Sequence, residues 1–128
     1  MTRILVIDDD TGVRTTIRQA LECERFDVVE AEDGRKGLAQ VTAHEPDVVI
    51  TDVIMPEIDG IGFILSLRKE NRDLRVIAIS GGGRICSADY LDAASRLGAD
   101  RVLAKPFDDD VLVGLVKELT ILPAAKTA

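Results

Sequence analysis

The sequence holds a single histidine and two cysteines, which removes several kinds of chemistry at once. Cys23 and Cys86 are too few for a disulfide framework and lack metal-ligand spacing, so they read as reduced thiols. His44 stands before Glu45-Pro46, where a helix should stop, and reads as a solvated helix-end residue; no second histidine exists to build a site with it. Basic clusters are missing too: 16 Lys and Arg against 23 Asp and Glu give a formal charge of -7. Phosphate backbones demand the opposite, so direct binding of nucleic acid is not expected. No apolar run approaches the ~20 residues that span a bilayer, and no basic-then-apolar segment precedes Arg3. The expectation is a cytoplasmic protein without a membrane partner.

With 46% hydrophobic and 30% charged residues, a chain of 128 suits one domain with a single core. Short apolar runs alternate with longer amphipathic segments throughout. Strands are expected at Arg3 to Ile7, Phe26 to Ala31, Asp47 to Thr51, Arg75 to Ile79 and Arg101 to Ala104. Helices are expected from Asp10 or Thr11 to about Glu24, from Asp33-Gly34 to about His44, from Ile61 to about Asn71, around Tyr90, Leu91, Ala94 and Leu97, and from Asp108 to Leu119. The run Asp47 to Thr51 is so apolar that both of its faces must be covered. Five strands alternating with five helices predict right-handed crossovers and a doubly wound α/β fold, a parallel five-stranded sheet with helices on both faces. The domain should occupy residues 1–121; residues 122–128 read as a short frayed tail, too small for an output domain.

In such sheets the functional crevice lies beyond the carboxyl ends of the strands. Those ends carry Asp8 and Asp9 after the first strand, Asp52 after the third, Ser80 after the fourth and Lys105 after the fifth. The run Asp8, Asp9, Asp10 directly after ILVI is costly, since adjacent carboxylates repel and resist desolvation unless something positive compensates. A helix N-terminus rich in acids would account for Asp10 through capping and the helix dipole. It does not account for Asp52 and Lys105. Three carboxylates become nearly neutral with one hard divalent cation plus Lys105, so the cluster reads as a magnesium site. Carboxylates, a cation, a hydroxyl and an ammonium group suit phosphoryl transfer, in which a carboxylate can be the nucleophile. Asp52 is the candidate, because it projects alone from the central strand while Asp8 and Asp9 are adjacent and can share cation binding.

The order ILVIDDD, VVITDVIMPEIDG, VIAISGGG and LGADRVLAKPF resembles the receiver domains of two-component response regulators, and is similar to the single-domain chemotaxis regulators. The resemblance covers roughly Arg3 to Leu119. It implies a flavodoxin-like (βα)5 fold with strand order 2-1-3-4-5, and a phosphoryl group passed to Asp52 from a sensor histidine kinase or histidine phosphotransferase. It implies magnesium held by Asp9, Asp52 and the backbone carbonyl of Ile54, with Asp8 assisting through water. Ser80 stands where the family hydrogen-bonds the phosphoryl group and Lys105 where it has its lysine, followed by Pro106. The implied protein is no general enzyme: it catalyses only its own phosphorylation and dephosphorylation and signals to an output protein that the sequence does not identify.

The sequence departs from the pattern in two places. Val102 stands three residues before the lysine, where the family commonly has Tyr or Phe as a rotating switch. The stretch from Ser80 to Gly98 is longer than usual, and Gly81-Gly82-Gly83 frees its start to adopt positive φ, either as a pliable switch or as accommodation of the insertion. Two other classes compete. A haloacid-dehalogenase-like phosphatase also begins with a strand and DxD but wants Thr or Val where this chain has Gly12. A flavodoxin-like FMN binder needs hydroxyls and glycines in its first loop, where Asp8 and Asp9 would repel a phosphate.

Overall fold

A computed structural model of the chain describes residues 2–52, 60–70, 74–80, 98–104 and 107–121. Strands β1 (Arg3–Ile7), β2 (Asp27–Ala31), β3 (Val48–Asp52), β4 (Arg75–Ser80) and β5 (Arg101–Ala104) form one sheet in the order β2-β1-β3-β4-β5. Every neighbouring pair is parallel. The helices among the described residues are α1 (Thr11–Cys23), α2 (Gly34–His44), α3 (Gly60–Glu70) and α4 (Asp109–Ile121). The strand order implied by the resemblance is therefore the order found, and the sense in which the chain adds strands to the sheet reverses at β1, which puts the switch point between β1 and β3. The helix expected around Tyr90, Leu91, Ala94 and Leu97 lies outside the described residues.

Both faces of the sheet are covered, which explains why its strands read as continuous apolar runs. Ile4, Val6, Val48, Ile50, Ile77 and Ile79 point to one face, against Ile17 and Leu21 of α1 and Leu112, Val116 and Leu119 of α4. Leu5, Ile7, Val49, Val76 and Ala78 point to the other, against Phe63, Ile64 and Leu67 of α3, with Leu38 and Val41 of α2 partly buried beside them. Gly37 sets how near α2 can lie. A Cβ there would stand 2.5 Å from Ile7 Cδ1 and 3.2 Å from Phe63 Cε1.

Local chemistry starts and stops the helices as expected, with small shifts of boundary. Asp10 caps α1, its side chain accepting from the amides of Gly12 and Val13, and Asp33 caps α2 through the Lys36 amide. His44 is the exposed last residue of α2, and Glu45 closes that helix in the left-handed region at φ 46°. β3 and β4 run one residue beyond their apolar runs, because Asp52 still pairs with Ile79 and Ser80 with Ala104. Asp52 and Ser80 are thus the final residues of their strands.

Arginines fasten the opposite, amino-terminal edge of the sheet. Arg3 donates to the His44 carbonyl at 2.8 Å and pairs with Asp27 at 2.6 Å. Buried Arg75 donates to the Leu119 carbonyl at 2.7 Å, tying the end of α4 to β4. Arg68 donates to the carbonyls of Leu74 and Gly98 and pairs with Asp100, whose carboxylate also accepts from the Val76 amide. These contacts fix the base of the sheet and leave the carboxyl ends of its strands to the site.

Candidate functional site

β1 and β3 are adjacent and in register, Ile7 opposite Thr51. The residues that follow, Asp8 and Asp52, therefore arrive side by side at the carboxyl edge. One carboxylate oxygen each from Asp8, Asp9 and Asp52 falls in a group whose members all lie within 4.8 Å of one another. Asp8 is 2% exposed and Asp52 6%, while Asp9 faces solvent. Asp10, the third acid of the run, turns to cap α1 and stands outside the group. The structure thus divides the acidic run between helix capping and a converging site.

Asp8 is held by its own backbone and side chain. Its amide donates to the Ala31 carbonyl at 3.2 Å, its Oδ1 accepts from the Asp10 amide at 2.9 Å, and its carbonyl accepts from Arg14 Nη1 at 2.6 Å. Arg14 Nε pairs with Glu30 Oε1 at 3.1 Å, and Glu30 Oε2 accepts from Arg18 Nη1 at 2.6 Å. Burial pushes the Glu30 carboxyl up, but hydrogen bonds and charge from Arg18 and Arg14 outweigh it and hold the group below its ordinary range. The Arg18 guanidinium is pushed up by Glu30 and Glu22 in turn. At the β2 side of the rim Lys36 pairs with Glu32, which raises the lysine.

The donor set suits a hard divalent cation. It consists of carboxylate oxygens alone, without the nitrogen or sulfur that softer metals favour. The three oxygens, within 4.8 Å of one another, are close enough for one such ion to be shared among them. Two of the three carboxylates are withdrawn from water, and their mutual repulsion favours a cation between them.

Of the other residues singled out in the sequence, Ser80 ends β4 on the same edge, and its side chain is outside the described portion. Ile54, Gly81 to Gly83, Lys105 and Pro106 lie outside the described residues. Val102, in the place of the family's aromatic residue, pairs with Ala78 and is 37% exposed. Sequence reasoning missed Arg14 and Glu30. Neither stands at a strand end or in a motif, and only the crossing of α1 over β2 brings them together.

Residues 4–117 match the response regulator receiver domain. The chain is 36% identical over 117 residues to the transcriptional regulatory protein PrrA of Mycobacterium tuberculosis, covering 91% of this chain and 49% of PrrA. It is 35% identical over 121 residues to the DNA-binding dual master transcriptional regulator RpaA of Synechocystis, covering 93% and 49%. The chain spans about half the length of the curated relatives it matches. The receiver domain of the Francisella response regulator 1452 superposes with a TM-score of 0.84 at 32% identity, covering 93% of this chain and 96% of that one.

Proposed function

The chain belongs to the response regulator receiver family, and on that premise we propose that Asp52 accepts a phosphoryl group from the phosphohistidine of a sensor histidine kinase or histidine phosphotransferase. The observation that carries this reading is the convergence of Asp8, Asp9 and Asp52 at the ends of β1 and β3. An oxygen of Asp52 attacks phosphorus, the phosphorus–nitrogen bond breaks, the imidazole keeps the electron pair, and an acyl phosphate remains on Asp52. Asp8, Asp9 and Asp52 would hold magnesium, together with the Ile54 carbonyl by family resemblance, and the ion would neutralise charge on the transferred oxygens. Ser80 and Lys105 hydrogen-bond the phosphoryl oxygens by family resemblance.

The chain acts on no substrate but itself and hands the signal to a protein partner. The DNA binding in RpaA's name belongs to that relative; the -7 charge of this chain disfavours DNA as its own direct ligand. No helix among the described residues is long and apolar enough to cross a membrane, and the proposed setting is the cytoplasm, where histidine kinases present their phosphoryl groups. The test is mass measurement after incubation with acetyl phosphate and magnesium. One added phosphoryl group is expected in the wild type and none in Asp52→Asn. An adduct that persists in Asp52→Asn would overturn the assignment.

A further inference from the structure

We infer that Arg14 is a positioning residue for the cation site: its guanidinium fixes the peptide between Asp8 and Asp9 so that both carboxylates face Asp52. The inference rests on the proposed magnesium-dependent function and adds a residue to it.

The reason lies in how the β1–β2 ladder ends. The Asp8 amide still donates to the Ala31 carbonyl. In a continued parallel ladder the Asp8 carbonyl would then meet the next amide of the neighbouring strand, but β2 stops at Ala31 and the chain turns into α2. Arg14 Nη1 supplies a donor to that carbonyl at 2.6 Å. The same guanidinium reaches Glu30 through Nε and Thr11 Oγ1 through Nη2 at 3.3 Å, and its side chain is 14% exposed. It is therefore held from β2, from the first turn of α1 and from the acidic turn itself, and has little freedom to move away.

The contact bears on the site because the Asp8 carbonyl and the Asp9 amide share one rigid plane. Rotating that plane turns Asp9, the exposed member of the group, relative to Asp8 and Asp52. A charge-assisted hydrogen bond resists the rotation more than a neutral one. A guanidinium that merely stapled α1 to β2 through Glu30 would affect stability and leave cation affinity alone, and this difference decides the test.

Magnesium affinity is measured by calorimetric titration of the whole chain, with phosphorylation by acetyl phosphate followed at limiting and saturating magnesium. Arg14→Ala should raise the magnesium Kd on the order of tenfold, as loss of a group that orients a metal ligand does. Phosphorylation should slow at limiting magnesium and recover at saturation. Arg14→Lys, which keeps one donor and the charge, should show a smaller rise, and Glu30→Gln, which keeps the contact to Asp8, a smaller one than Arg14→Ala. An unchanged Kd in Arg14→Ala, whatever its melting temperature, overturns the inference. Should Arg14→Ala fail to fold, a wild-type Kd in Arg14→Lys overturns it equally. A wild type that binds no magnesium refutes the proposed function itself and removes the role of Arg14 with it.

Discussion

Replacing Asp52 by asparagine should make the metal-free protein more stable and the magnesium-loaded protein less so than wild type. The shapes are nearly identical, so packing changes little and charge dominates. Asp52 lies within 4.8 Å of two other carboxylates. At an effective dielectric near 20, each such pair at that distance repels by about 3.5 kcal/mol. Lys105, assigned to the same site by family resemblance, offsets about one of the two pairs. Solvent at exposed Asp9 weakens the other, leaving a gain of about 1–2 kcal/mol on neutralising Asp52. For a chain of this size that is a rise of roughly 3–8 °C. Magnesium reverses the order, since an ion that binds only the folded wild type stabilises it by mass action, and the variant has lost a ligand. Thermal melts of both proteins in chelator and in millimolar magnesium should therefore cross. A variant that melts at or below wild type in chelator would refute the electrostatic reasoning, because two buried, converging carboxylates would then carry no strain worth relieving.

Gly37→Ala should cost about 1–3 kcal/mol by overpacking, because the new Cβ meets Ile7 Cδ1 at 2.5 Å; denaturant unfolding checks this, and Ile7→Val should recover part of the loss. Glu30 has its folded carboxyl held below the ordinary value of 4.5. Its contribution is present above that value and is lost as pH falls through the lower folded one. Glu30→Gln should accordingly flatten the acid side of the stability curve below pH ~4.5 and change its slope little near neutrality.

The sheet was legible in the sequence because each central strand is an apolar run buried on both faces, and the caps were legible because Asp10 and Asp33 stand directly before helical periodicity. The ends of β3 and β4 were not, since Asp52 and Ser80 join the ladder through backbone pairing that side-chain polarity hides. α4 likewise runs on to Ile121, beyond the expected Leu119. Asp8, Asp9 and Asp52 could be named as a group because topology sends all strand ends to one edge. The support beneath them could not be named. Arg14 meets Glu30 across 16 positions because α1 crosses β2, and at the opposite edge of the sheet Arg68 meets Asp100 across 32; neither meeting follows from any local pattern.

The placement of the acids on β1 and β3 bears on how the protein breathes. Ile4, Leu5, Val6, Val48 and Val49 are completely buried, and amides in such strands exchange with solvent only when the whole domain opens. A ligand at the rim lowers the population of that open state as one quantity. Magnesium at Asp8, Asp9 and Asp52 should then slow deuterium uptake at Leu5 and Val49, far from the carboxylates, by the same factor as at Ile7 and Thr51. Occupancy at one edge of the sheet should thereby be read along its full length as a single factor in exchange rate.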